Sequence, residues 1–167
     1  MWLAVVVAYE PRWTEEIHAE WIRNVLENHP DITLAQLERT RCLMDQVHPK
    51  CLVQGYEAHI PELQLPDEND RHVLAAAIEA DATVIVTFNI SDFPRATLQK
   101  HGIRALLPDA FLEALFDNDA GRFLRGIQRH RASLKNPPRT AAQYLESLSF
   151  QGLDRIAHSL EAHTDEI

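Results

Sequence analysis

Two stretches separated by four residues decide how this chain folds: Leu65-Pro66-Asp67-Glu68-Asn69-Asp70-Arg71-His72-Val73-Leu74-Ala75-Ala76-Ala77-Ile78, and Thr83-Val84-Ile85-Val86-Thr87-Phe88-Asn89-Ile90-Ser91-Asp92-Phe93-Pro94. The first opens with helix-start chemistry. Asp67 is a good N-cap, and Asp70 lies three positions later, where a side chain can fold back on the first turn. Val73, Leu74, Ala77 and Ile78 then recur at helical spacing as one apolar face. The second stretch is apolar at successive positions from Thr83 to Phe88 rather than alternating, which predicts a strand buried on both faces of a parallel sheet. In an α/β unit the helix runs antiparallel to its strand. The helix start and the strand end therefore share the carboxyl edge of the sheet, where sites form. Asp70 and Asp92 are expected to converge there, with Asp67 and Asn89 beside them.

The same grammar extends in both directions. Upstream, Thr14 caps a helix carrying Glu15 and Glu16 in its first turn and Ile17, Trp21 and Val25 along its buried face, with Pro30 past its end. Thr33 followed by Gln36 is a capping-box pattern, and Leu34, Leu37, Met44 and Val47 form a buried stripe after it. Cys51 to Gln54 is a short strand candidate. Downstream, a helix near Ala96 to Lys100 precedes a strand from Ile103 to Leu107, and Pro108 starts another helix. Strand and helix in alternation, with short connections, give an α/β sheet with right-handed crossovers. Beyond Asp119 only helices remain: Arg122 to Leu134, Thr140 to Leu148 and Leu153 to Ala162, the first two separated by Pro137 and Pro138. The organisation expected is an α/β domain over 1–118 and a helical extension over 119–167.

Composition bounds the function. The chain has 167 residues, of which 46% are hydrophobic and 25% charged, values of a globular protein with a sizeable core. The apolar run Leu3 to Ala8 is far too short for a membrane span and lacks the basic lead of a signal peptide. Two cysteines, Cys42 and Cys51, make neither a disulfide framework nor a zinc site and fit a reducing cytoplasm. The net charge of -9 argues against a general nucleic-acid coat protein. Yet Ala120 to Arg139 holds six basic residues and no acidic one. Within it Arg122, Arg125 and Arg129 fall on one helix face, a pattern that supplies phosphate contacts or simply faces water.

Gathered carboxylates repel one another unless a positive charge lies between them. Hard oxygen donors without a nearby His/Cys set favour Mg2+ or Mn2+, and such an ion suits phosphodiester hydrolysis. Plainer roles compete at each position. Asp67 serves as a cap, Asp70 as a partner of the helix dipole, and Asp92 as a turn residue before Phe93-Pro94. Glu16 and Glu20 make an i, i+4 pair of the kind usually solvated.

The two opening stretches, with Pro11-Arg-Trp-Thr-Glu-Glu-Ile-His-Ala-Glu-Trp21 and Pro108-Asp-Ala-Phe-Leu112, closely resemble the PIN-domain family, most of all its VapC-type toxin ribonucleases with a helical C-terminal extension. The resemblance covers roughly residues 10 to 117 and the tail more loosely. It implies a three-layer PIN-like fold with a central, mainly parallel sheet flanked by helices. It implies a metal-dependent endoribonuclease, the toxin of a type II toxin–antitoxin pair, that hydrolyses RNA with carboxylate-bound Mg2+ or Mn2+. Carried over residue by residue, the metal ligands and catalytic acids are Glu20, Asp70 and Asp92, the last also orienting the attacking water. Asp67, Asn89 and Thr87 take supporting places, and Arg71, His72, Arg122, Arg125 and Arg129 are candidates to touch RNA. The implied partners are RNA and a cognate antitoxin, in the cytoplasm and away from membranes.

One family feature has no counterpart. The first acid of the family ends a first strand near the N-terminus, but before Pro11 the only acidic residue is Glu10. Val5-Val6-Val7 is followed by no Asp and falls where relatives have the end of their first helix. The expectation is a native start upstream of Met1 or a member that lost this strand, whose exposed edges a second copy or another partner would cover. That sets a second reading beside the nuclease: a catalytically inactive PIN-like binding module for its antitoxin or for itself. A small-molecule α/β enzyme is a weaker third, since there is neither a glycine-rich phosphate loop nor a nucleophile elbow, and the chain has only five glycines.

Overall fold

The computed structural model describes residues 9–46 and 50–167. The run Leu3 to Ala8 with Val5-Val6-Val7, and Val47 of the apolar stripe, lie outside them. The described residues form two compact units. The N-terminal unit spans Glu10–Ile85 and Asn89–Ala105; the C-terminal unit takes Tyr9, Val86–Phe88 and Leu106–Ile167.

In the N-terminal unit, α1 spans Glu15–Asn28, capped by the buried Thr14, whose Oγ1 accepts the amide of Ile17 at 3.1 Å. Helix α2 spans Leu34–Asp45 behind the capping box of Thr33 and Gln36. Of its expected stripe Leu37 is buried, but Leu34 is 53% exposed, a correction: at the first helical position it lies outside the buried face. A 3-10 turn, Glu68–Asp70, leads into α3, Arg71–Glu79. Leu74, Ala75, Ala76 and Ala77 of α3 are buried against Val53, Tyr56, Leu65, Ile85, Phe93, Leu98 and Ile103. Such a face of small residues lets other backbone approach closely. Helix α3 ends in a Schellman pair, with the amide of Ala82 on the carbonyl of Ala77 at 2.8 Å and that of Asp81 on Ile78 at 3.1 Å. Asp81 takes the left-handed conformation there (φ 50°), a position glycine usually fills.

The chain then enters β1, Val84–Val86, and crosses over through α4, Arg95–Leu98, to β2, Arg104–Leu106. The strands pair in one two-stranded sheet. The amide of Arg104 bonds Thr83 at 3.1 Å and that of Thr87 bonds Leu106 at 3.0 Å, so both strands advance together and the pair is parallel. The expected Cys51 to Gln54 strand is present as a single parallel bridge between Trp13 and Leu52. The α/β class therefore holds, with a small sheet among the described residues. Burial of β1 on both faces does not hold. Ile85 is buried, but Val86 is 43% and Phe88 67% exposed: side chains alternate between the two faces of a strand, and the face that carries Val86 and Phe88 is not covered by the described residues.

The C-terminal unit is helical after β2. Helix α5, Pro108–Asn118, begins with proline at its first position, where the missing amide costs nothing. Helix α6, Ala120–Ser133, is capped by Asp119. Helix α7, Ala141–Phe150, has a capping box of Thr140 and Gln143, and α8 spans Asp154–Leu160. Phe123, Ile127, Tyr144, Ile156 and Leu160 form the core. Asp109 of α5 is buried, and its carboxylate accepts the amides of Arg155 at 2.9 Å and Ile156 at 3.0 Å. It thereby caps the start of α8 from another helix. No helix among the described residues is long and apolar enough to cross a membrane.

Candidate functional site

The carboxylates singled out in the sequence are set by three local structures of the N-terminal unit. The Thr14 cap fixes the start of α1, and from there Glu16 and Glu20 fall one turn apart on one face. At the head of α3 the work is divided between two aspartates. Asp67 caps the 3-10 turn, accepting the amide of Asn69 at 2.8 Å. Asp70 occupies the N-cap position of α3 and makes no side-chain capping bond. Its carboxylate is thus not consumed by the helix it precedes. Asp92 closes the 3-10 turn Ile90–Asp92 after β1, with Oδ1 accepting the Ser91 hydroxyl at 3.4 Å.

These groups act on one another. Partial burial raises the Asp70 carboxyl above its ordinary value, and the charges of Asp67, Asp92 and Glu20 raise it further, opposed by His72. Asp70 is therefore acted on by carboxylates from α1, from the turn before α3 and from the turn after β1, with His72 acting the other way. Asp92 and Glu20 are near enough for their charges to act on Asp70.

His72 lies in the first turn of α3 and is only 3% exposed, too buried to be the RNA contact expected from the sequence. Its Nε2 is 3.3 Å from Glu20 Oε2, and its Nδ1 is 3.6 Å from Glu16 Oε2. Both nitrogens sit off hydrogen-bond geometry, so the ring is within ion-pair reach of two carboxylates without a formed bond. Glu16 also accepts the Tyr56 hydroxyl at 3.1 Å. Burial raises the pKa of that hydroxyl; a bond with Thr14 opposes the shift, and the neighbouring Glu16 adds to it.

The other sequence candidates are placed as follows. Arg71 pairs with Glu68 at 2.7 Å. Asn89 precedes the Asp92 turn, and its carbonyl accepts the Asp92 amide at 3.2 Å. Thr87 belongs to the C-terminal unit. So do Arg122, Arg125 and Arg129, all exposed on α6. A groove of about 600 Å³ lined by Glu15, Ile22 and Arg41, among others, includes none of Glu20, Asp70 and Asp92.

Hard oxygen donors around a raised carboxyl are the chemistry that a divalent ion such as Mg2+ or Mn2+ would satisfy. The donor set fits the ion in kind. It is not drawn in around a point, since no three His, Cys, Asp or Glu side chains among the described residues are gathered closely enough to hold a metal.

Sequence reasoning passed over three residues. Glu16 reads as half of a solvated pair, yet its carboxylate is near both Tyr56 and His72. His18 is wholly buried: its Nδ1 accepts the Trp21 indole at 2.9 Å, and its Nε2 meets Asp45 at 3.0 Å, an oxygen that also accepts the Trp13 indole at 2.8 Å. The third is Asp109. Each has a partner far away in sequence, except the Trp21 contact at i+3, which helical spacing makes legible.

Comparison with known proteins gives the family. Residues 5–91, more than half of the chain, match the family model described as PIN domain, and the chain belongs to the PIN-domain family. Residues 108–162 match the model described as VapC50 C-terminal domain, which places the chain with the VapC-type members. A protein of Mycobacterium tuberculosis named "Putative ribonuclease VapC50" is 56% identical over 43 residues, 26% of this chain. That match spans 25% of the relative's own length. No solved structure matches.

Proposed function

We propose that the chain is a metal-dependent endoribonuclease, the toxin of a type II toxin–antitoxin pair, with Glu20, Asp70 and Asp92 holding Mg2+ or Mn2+. The observation that carries this reading is Asp70 at the N-cap of α3, which makes no capping bond and whose carboxyl is raised by partial burial and then by the charges of Asp67, Asp92 and Glu20. A protein tolerates such frustration at a site whose counter-charge arrives with a ligand. When bound, the ion supplies Lewis-acid activation of the phosphodiester and of water. Asp70 would hold the ion from the head of α3, with Glu20 from α1. Asp92 would accept a hydrogen bond from the attacking water and so help to orient it. Asp67 keeps the turn before α3 in shape, and Asn89 and Thr87 hold the end of β1. Arg71 and the α6 face of Arg122, Arg125 and Arg129 supply salt-dependent phosphate contacts. A cognate antitoxin is the regulatory partner.

The test is cleavage of a mixed tRNA and ribosomal RNA pool with Mn2+, with EDTA, and with Asp70→Asn. The expected outcome is cleavage that EDTA abolishes and that Asp70→Asn lowers by about a hundred-fold or more, while the helical circular dichroism stays unchanged. Full activity in Asp70→Asn would remove the reading. Silence of the unaltered chain with Mn2+ would move it to the inactive binding module.

A further inference from the structure

We propose that His72 is the positioning residue for Glu20, the buried and fixed member of a relay, Tyr56–Glu16–His72–Glu20, that sets the first helix against the third. The inference rests on the reading of Glu20 as a metal ligand and goes further, since neither Glu16, Tyr56 nor His72 has a role in that ligand set.

Glu20 is a long side chain, about a third exposed, and left alone it samples many rotamers. His72 is the opposite. Its ring is buried at the head of α3, and the next core residue of that helix, Leu74, is fully buried. The two carboxylates of α1 bracket this ring at 3.3 and 3.6 Å, one facing each nitrogen. Glu16 is tethered from behind by the Tyr56 hydroxyl at 3.1 Å, and Tyr56 is itself buried. A buried imidazole with neither nitrogen in hydrogen-bond geometry is an unusual expense unless the polar groups it faces are kept for use. The core role alone would be met by an apolar side chain of similar size. What the imidazole adds is a polar edge aimed at Glu20 on one side and a braced Glu16 on the other. Outer partners that orient a ligand typically govern metal affinity by about ten- to a hundred-fold.

The two ring nitrogens can be separated by substitution. Gln places its amide nitrogen near the position of Nε2, beside Glu20. Asn places its amide nearer Nδ1, beside Glu16. Binding of Mn2+ is measured on the full chain by electron paramagnetic resonance of the free ion, without RNA. In parallel, kcat and KM are measured for RNA cleavage. His72→Asn is expected to weaken Mn2+ binding about ten-fold or more, and His72→Gln to restore most of that loss. In both variants KM for RNA should stay near the parent value. Equal Mn2+ binding by the parent and both variants would overturn the proposal, as would an equal loss in both, which would make the ring a core filler only. Tyr56→Phe keeps shape and charge and removes the brace on Glu16 together with the hydroxyl's bond to Thr14. It is expected to weaken Mn2+ binding by a smaller but measurable factor, and it decides the question if the His72 variants fail to fold: unchanged binding would then overturn the relay. A parent chain that binds no Mn2+ would overturn both the ligand reading and the relay, whereas normal binding with insensitive variants would overturn the relay alone.

Discussion

At the scale of single residues, the chain keeps charges where they do not help it to fold. Asp70 is the clearest case. Its carboxyl titrates above the ordinary value because of burial and then of Asp67, Asp92 and Glu20. A carboxyl raised in the folded state favours folding in its protonated form. That contribution is present below the ordinary carboxylate range and is lost as pH rises through the raised value. At neutral pH the ionised Asp70 therefore works against the fold. Asp70→Asn removes the charge at constant shape and breaks no capping bond. Its melting temperature is expected to rise by about 1–4 °C at pH 7. A thermal melt of both proteins in EDTA checks this, and a fall in the variant would mean that the carboxylate makes a favourable contact. The same substitution should thus stabilise the chain and silence it.

At the scale of elements, the caps carry most of the instruction. Thr14, Thr33 with Gln36, Asp67 and Thr140 with Gln143 all cap helices or turns, and all are legible in the sequence because a cap and its amide are two or three residues apart, although the Thr140 box reads there only as a helix start. Asp109 caps α8 from 46 and 47 residues away, and no spacing rule reaches that far. Asp109→Ala leaves two amides at the start of α8 without their carboxylate, at a cost of about 2 kcal/mol. Urea unfolding should show a lower midpoint with an unchanged slope; an unchanged midpoint would mean that water replaces the cap. Legibility divides along the same line at the candidate site. That Asp70 feels the charge of Asp92 is legible, because strand and helix direction follow from periodicity. The second roles of Glu16 and His72 depend on Tyr56, which approaches from a loop the sequence leaves unassigned. Strand burial follows the same division: an apolar run gives the strand but not what covers each of its faces, and Val86 with Phe88 lies exposed among the described residues while Ile85 is buried.

At the scale of the whole molecule, the net charge of -9 sits beside a basic stretch confined to one part of the chain. The acids of the candidate site lie in the N-terminal unit, and α6 carries the arginine face in the other. Acid should affect the C-terminal unit through His130. Burial lowers its pKa from 6.5, and its Nδ1 accepts the hydroxyl of Tyr144 at 2.8 Å, whose own pKa burial pushes up to about 12. A histidine lowered in the folded state supports folding above its unfolded value, and that support is lost as pH falls through the lowered one. The melting temperature should therefore drop below about pH 6.5. His130→Asn keeps an acceptor near Nδ1 and does not titrate, so its drop should be smaller; identical pH profiles would acquit the pair.

The boundary between the units runs through both strands. The chain passes from one unit to the other between Ile85 and Val86, returns at Asn89, and crosses again between Ala105 and Leu106. A piece beginning at Leu106 would carry every helix of the C-terminal core, yet it would strand the Leu106 carbonyl without the Thr87 amide that satisfies it. For anyone grafting the helical region onto another protein, the portable module is therefore the helices together with the end of β1. Its natural first residue is some twenty positions earlier than the helices alone suggest.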